Sequence, residues 1–215
     1  MTYKFTCLVL FSLSAVTGVE QPRARTWTFD TDTIGNAPGG FEAAVGEWRI
    51  VEDPSAPGGK RALAQLAENS RPTFNVILAA GTNYGDVDIS VKMKSVTGEI
   101  DQGGGLVWRA KDHRNYYIAR FNPLEDNYRV YRVVDGRRQQ LQSADLGRKP
   151  GWHILRVTMR ADHIQCYFDG KKHLDVMDET FREAGEIGLW TKADARTHFD
   201  DLTASAFRAS LVRKS

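Results

Sequence analysis

The feature that most constrains this chain is a two-residue period. Val87, Ile89, Val91 and Met93 alternate with Asp88, Ser90, Lys92 and Lys94. Successive side chains of a strand point to opposite faces, so this spacing describes a strand with one apolar and one wet face. Leu155, Val157 and Met159 alternate with Ile154, Arg156 and Thr158; Ile164, Cys166 and Phe168 alternate with Gln165 and Tyr167. Helical periodicity is almost absent, and the one short helix-like or turn-like piece falls at Asp178–Ala184. Asp135-Gly136 and Asp169-Gly170 are dipeptides that tolerate the positive φ of type I′ hairpin turns. Asp162-His163 is expected to turn the chain between the strands that start near Trp152 and Ile164. Further strands are expected at Thr26–Asp30, Trp48–Glu52, Leu63–Gln65, Asn75–Leu78, Gly105–Arg109, Tyr116–Phe121, Tyr128–Val134, His173–Val176, Ile187–Lys192 and Phe199–Phe207. Strands so numerous and short predict an all-β antiparallel β-sandwich or jelly roll, with a closed barrel as the alternative.

The start of the chain does not belong to that pattern. Lys4 precedes an apolar run from Phe5 to Val16, and Thr17 and Gly18 follow. A charged start, an h-region of about 12 residues and a small-residue exit read as a secretory signal peptide. The run is shorter than the roughly 20 apolar residues that span a bilayer. The expected organisation is a signal peptide over 1–18 and one β-sandwich domain over 19–215, placed outside the cytoplasm, secreted or periplasmic in a bacterium. An uncleaved anchor is the alternative. Cleavage would remove Cys7 and leave Cys166 alone, in an alternating strand where a small buried hydrophobe is expected. The 29 basic and 27 acidic residues are interleaved, so no basic stripe points to nucleic acid.

Candidate functional residues come from the faces opposite the core. By alternation Arg120, Arg156, Tyr167 and Lys192 lie there. If one sheet is concave they would line a groove, where aromatic rings beside Arg, Asn and Asp suit sugars. Otherwise they form a solvated sheet face. The densest stretch, Asn115 to Gly136, reads as strand, loop, strand: Arg120 and Asn122 end the first, Glu125 and Asp126 occupy the loop, and Asn127 opens the second. Pro123 interrupts the ladder. In Ile187–Asp201, Trp190 and Lys192 share one face, while Asp194 and His198 follow in an expected loop, as a rim or a plain turn. Lys192 cannot be buried without a partner. Gly103-Gly104-Gly105 precedes a strand rather than a helix, so it reads as a close backbone crossing and not a phosphate loop. The five His show no metal spacing. A divalent metal such as calcium would need loop carboxylates, and Asp30, Asp32, Asp200 and Asp201 would meet if the terminal strands pair.

Several segments together carry a resemblance. Gly104-Gly105-Leu106-Val107-Trp108-Arg109, Asn115-Tyr116-Tyr117, Ala119-Arg120 with Asn122-Pro123, the hairpin Asp135-Gly136, Gly188 to Asp194, and Phe199-Asp200-Asp201-Leu202 resemble the secreted bacterial 3-keto-disaccharide hydrolases. The resemblance runs from about Thr26 to Phe207 and implies a concanavalin A-like, laminin-G-like jelly roll. It also implies chemistry. A ketone at C3 of a sugar acidifies the C2 proton, and the enolate formed on its removal expels the group at C1. Such a site needs a base near C2, an acid near the leaving oxygen and a cation or donors near the C3 oxygen. In that scheme Arg120, Arg109 or Lys192 holds the enolate oxygen, or a bound divalent ion replaces them. Glu125, Asp194 or His198 moves protons. Asn122, Asn127, Arg156, Tyr167 and Trp190 contact the sugar.

Three functions remain open at this point. The first is an enzyme that cleaves glycosidic bonds of 3-keto-glycosides. The second is a lectin-like module that holds carbohydrate without turnover. The third is a structural or adhesive domain that meets another protein. Folds of this type host the first two alike, so the fold does not decide between them.

Overall fold

The structure is a computed structural model, and it describes residues 24–207. The proposed signal peptide at 1–18 lies outside the described residues. Fifteen strands and no helix are found among them: β1 (Arg25–Trp27), β2 (Phe41–Val45), β3 (Trp48–Glu52), β4 (Arg61–Gln65), β5 (Phe74–Ala79), β6 (Val87–Thr97), β7 (Gly104–Asp112), β8 (Asn115–Asn122), β9 (Asn127–Val134), β10 (Arg137–Asp145), β11 (Trp152–Arg160), β12 (His163–Phe168), β13 (Lys171–Met177), β14 (Glu186–Lys192) and β15 (Arg196–Ala206). They form two antiparallel sheets. One has the order β13-β12-β11-β6-β15-β4-β3, with β1 also paired to β15; the other has the order β10-β9-β8-β7-β14-β5-β2. The chain is an antiparallel β-sandwich.

Two strands fall outside the set expected from the sequence, and both are edge strands. β2 is Phe-Glu-Ala-Ala-Val with its three central residues exposed, and β10 reads Arg-Arg-Gln-Gln-Leu-Gln-Ser-Ala-Asp. A strand that buries little carries little hydrophobic pattern. Asp178–Ala184 is irregular chain rather than a helical turn. The β11–β12 turn uses Ala161-Asp162, with Ala161 at φ 52°, one residue earlier than expected. The two Asp-Gly turns have positive φ at both positions, as their residue types require: Asp135 51° and Gly136 79°, Asp169 47° and Gly170 79°.

The main core lies between the sheets. It is built by Ile89, Val91, Met93, Leu155, Val157, Met159 and Phe199 on one side and Ile77, Leu106, Trp108, Tyr117, Phe121, Ile187 and Leu189 on the other. Cys166 is fully buried in it, and burial pushes its thiol above the ordinary range, in keeping with an inert core residue. The seven-stranded sheet is also apolar on its outer face. Val76, Leu78, Val107, Ala110, Tyr116, Ile118, Tyr131, Val133 and Trp190 form a second buried cluster there. β10 and β5 stand five places apart in this sheet. With strands about 4.8 Å apart, a flat sheet would separate them by about 24 Å. Yet the Arg138 guanidinium of β10 lies 5.2 Å from the Phe74 ring of β5. The sheet therefore curls, with its outer face inward.

Close backbone approach makes that curl possible. A Cβ at Gly105 would sit 1.9 Å from the Ala119 carbonyl oxygen, and one at Gly188 would sit 2.2 Å from that of Ile77. The glycine run thus serves a close crossing, as its sequence context suggested. Gly188→Ala is expected to lower stability by about 3 kcal/mol, the upper end of overpacking costs. Gly85→Ala, which meets nothing nearer than 3.8 Å, should change it by less than about 0.5 kcal/mol. Urea unfolding of the two variants checks the contrast.

Candidate functional site

The concave face is organised in cross-strand rows. Val76, Trp190, Gly105, Arg120 and Arg129 are successive register partners across β5, β14, β7, β8 and β9. The next row runs Gly188, Val107, Ile118, Tyr131, and a third joins Tyr116, Val133 and Arg138. Gly105 carries no side chain between Trp190 and Arg120, and a Cβ there would collide with the Ala119 carbonyl. Trp190 Nε1 donates to the Tyr116 hydroxyl at 3.1 Å, and the Phe74 ring lies 5.4 Å from the Trp190 ring. Arg138 lies over this cluster, with its guanidinium 4.4 Å from the Tyr131 ring and 5.6 Å from the Trp190 ring.

Arg120 is the central polar group. It is 1% exposed. Its Nη2 donates to Glu125 Oε2 at 2.8 Å and to the Tyr131 hydroxyl at 3.2 Å. Its Nε and Nη1, and Nη1 of Arg138, have no hydrogen-bond partner among the described residues. Glu125 also accepts from Arg129 at 2.9 Å and Asn127 at 3.3 Å. Burial pulls the Glu125 carboxyl upward, but Arg120, Asn127 and Arg129 outweigh it and hold the group at about 2. Glu125 is therefore ionised near neutrality and cannot serve as a proton donor there.

The neighbouring candidates pin the chain. Asn122 accepts the N–H groups of Leu124 and Glu125 and donates to Asp101 at 3.0 Å. Lys192 donates to the other Asp101 oxygen at 3.0 Å, which supplies the partner its burial requires. Asp194 accepts the N–H groups of Glu99, Ile100 and Asp101. Burial raises the Asp194 carboxyl and those N–H groups lower it further, so the net shift is downward, away from an acid's range. Arg120, Glu125, Asn122, Asn127, Trp190 and Lys192 thus gather at one end of the curled sheet, with Asp194 anchoring the adjoining turn.

Four expected site residues lie elsewhere. His198 is on β15 rather than in a loop, and its Nδ1 contacts Asp53 at 2.7 Å on the outer face of the eight-stranded sheet. Arg156 and Tyr167 are cross-strand partners on that same face, where Asp88 binds Arg156 in a bidentate pair at 2.7 and 2.5 Å. Arg109 is 3% exposed at one end of the sandwich and donates to the Gly85 and Phe181 carbonyls, so its guanidinium clamps loops. One groove shared by all the candidates does not exist, because alternation assigns a residue to a face without naming its sheet. Reading by alternation missed Arg138, Tyr131, Phe74, Tyr116 and Asp101. Tyr131 and Tyr116 alternate with core residues and carried a signal; Arg138 lies on the polar edge strand and carried none.

The carboxylates near the chain ends meet in part: burial, with Asp201 and Asp30 beside it, raises the Asp200 carboxyl, and Asp30 Oδ1 lacks a partner among the described residues. β1 pairs with β15 as envisaged, but Asp201 pairs with Lys92 at 2.6 Å and Asp200 accepts from Gly58 and from the Asp201 N–H. Asp32 accepts the Gly39 N–H instead of joining them. Among the described residues no group of three or more His, Cys, Asp or Glu is arranged to hold a metal ion.

Similarity to known proteins bears on the fold. No known family model and no curated protein matches the chain. Among solved structures it is similar to a carbohydrate-binding module of Bacillus subtilis (CBM66), at 19% identity, TM-score 0.65, over 77% of this chain and 95% of the module. It is also similar to a Bacillus licheniformis β-glucanase, at 14% identity, TM-score 0.59, over 86% and 98% of the two chains. A Bacillus subtilis protein of unknown function with a galectin-like fold gives 10% identity, TM-score 0.55, over 77% and 88%. At these identities the likeness is one of fold, a jelly-roll sandwich.

Two stability predictions follow from the ion pairs. Asp101→Ala strands the Lys192 ammonium and should cost about 3 kcal/mol; adding Lys192→Met should recover part of that loss in a double-mutant cycle of urea unfolding. The second concerns Asp53, 5% exposed, which also pairs with Lys94. Burial raises its carboxyl, but Lys94, His198 and Ser55 lower it more, so the net shift is downward; burial holds His198 below its ordinary 6.5. Groups lowered on folding stabilise above their unfolded pKa and lose that contribution as pH falls. The urea midpoint should therefore decline as pH drops below about 6.5 and again below about 3.8. Asp53→Asn should flatten the lower step.

Proposed function

We propose that this chain is a carbohydrate-active protein that holds a saccharide at the concave face of its seven-stranded sheet. The observation that supports it most is the juxtaposition of Trp190, Tyr131 and Phe74 with Arg120, whose Nε and Nη1 lack partners among the described residues. Aromatic rings pack on the apolar C–H faces of a sugar, and fixed donors bind its oxygens. The neighbours that bear the names carbohydrate-binding module and β-glucanase agree with this class of ligand. Binding without turnover is the favoured form, because Glu125 is held ionised by arginine and Asp194 by backbone N–H groups. In this reading residues 1–18, with Lys4 and the apolar run after it, direct the protein out of the cytoplasm.

Cleavage of a 3-keto-glycoside is the second reading, and Arg120 favours it. Its unfilled donors would stabilise an enolate oxygen at C3, where charge develops. Ionised Glu125 is in the protonation state of a base that takes the C2 proton. Bond cleavage at C1 then needs a proton for the leaving oxygen, which water would supply.

Titration of the mature chain with neutral and acidic oligosaccharides tests the proposal. Binding is expected, with affinity at least tenfold weaker in Trp190→Phe and unchanged in Arg156→Ala, which alters the other sheet. A weaker Arg156→Ala with an unaffected Trp190→Phe would move the site to the eight-stranded sheet, and no binding of any saccharide would reject the proposal. Release of product from a chromogenic 3-keto-glucoside, lost in Glu125→Gln, would establish turnover.

A further inference from the structure

Resting on the reading of the concave face as a saccharide site, we infer that its preferred ligand is an acidic saccharide, whose carboxylate is received by Arg120 and Arg138. Both guanidiniums approach the same ring, that of Tyr131, at 5.8 and 4.4 Å. Arg120 is 1% exposed and keeps two donors without partners among the described residues; Arg138 keeps one. A buried donor without a partner is unfavourable, so three of them weigh on a face that makes no other use of them. The charges nearby do not fill them. Glu125 is shared between Arg120 and Arg129, and Asp101 is taken by Lys192 and Asn122. Four cations, Arg120, Arg129, Arg138 and Lys192, stand against three carboxylates, Glu125, Asp101 and Asp194, at this end of the face.

Two like charges held against one ring, with donors unfilled, form a site short of an anion. Charge-assisted hydrogen bonds to a carboxylate are about twice as strong as neutral ones, and arginine matches the planar group. The rings select what carries that carboxylate. Trp190 and Tyr131 are buried beneath Arg138 with Phe74 half-buried beside them, so a shift of Arg138 would uncover apolar faces that a bare inorganic anion cannot use and a pyranose ring can. A uronic acid unit has both parts, a ring with C–H faces and a carboxylate on C6. Arg138 is half-buried on the edge strand β10, so its side chain can shift to admit the ring while keeping its charge at the groove.

The test uses the mature chain and four probes: oligogalacturonate, its methyl ester, a neutral galacto-oligosaccharide of equal length, and inorganic sulfate. Calorimetry should show at least tenfold tighter binding of oligogalacturonate than of the ester, falling as salt rises. Arg138→Gln should bring the acid-to-ester ratio towards one, Arg120→Lys should reduce it, and Arg156→Ala should leave it unaltered. Near-ultraviolet circular dichroism checks folding, and if Arg120→Lys fails to fold, Arg138→Gln carries the test. Equal affinity for acid and ester overturns this inference while the saccharide reading stands. A preference that survives in folded Arg138→Gln and Arg120→Lys overturns it as well. Sulfate bound as tightly as oligogalacturonate means an anion site only, and no binding of any saccharide rejects both readings.

Discussion

The curl of the seven-stranded sheet is the constraint on which the rest depends. A sheet with apolar residues on both faces must cover both. The inner face packs on the eight-stranded sheet, and the outer face folds its own side chains over itself. Burying a large apolar side chain is worth about 1.5–3 kcal/mol, so the second cluster, with Trp190 and Tyr131 in it, is a strong drive to curvature. Curvature needs strands to approach at places where a Cβ would collide, which is why Gly105 and Gly188 occupy β7 and β14. Once the sheet curls, side chains from distant strands converge, and Arg138 meets Phe74 across five places of the strand order.

Charge follows from that geometry. Lys192 enters a buried setting and takes Asp101; Arg120 enters one and takes Glu125. Each pair offsets the cost of leaving water, and breaking either would leave a buried charge alone. The pair with Arg120 outweighs burial and lowers the Glu125 carboxyl that acid–base chemistry would use. Glu125 and Asp194 are held ionised, one by guanidinium groups and the other by backbone N–H groups. The polar cluster is therefore better suited to holding a ligand than to exchanging protons with it. The eight-stranded sheet reaches a similar end with other residues: Asp53 gathers His198, Lys94 and Ser55 and ties its loop to β6 and β15.

The sandwich itself does not choose among functions, since folds of this kind carry binding modules and glycosidases alike. The solved structures similar to this chain include both, at identities that speak to fold alone. The local features that bear on function are Arg120, whose Nε and Nη1 lack partners among the described residues, and the aromatic rings around it.

By itself, the sequence determined the strand content, the Asp-Gly hairpins, the close crossing at Gly103 to Gly105 and the demand that Lys192 have a partner. These are local properties, set by alternation, by turn chemistry and by the cost of burying charge. Edge strands β2 and β10 were illegible because they bury too little to carry a pattern. Which sheet each candidate belongs to was decided only by the tertiary structure. Arg120 and Arg156 have the same polar-outward spacing, yet one faces the curled groove and the other pairs with Asp88 on the opposite surface. His198 moved from an expected loop to a strand facing Asp53, and Arg138 joined the site from the edge. Period two records which way a side chain points relative to its own strand; strand order and curvature, set by long-range pairing and packing, determine what it points at.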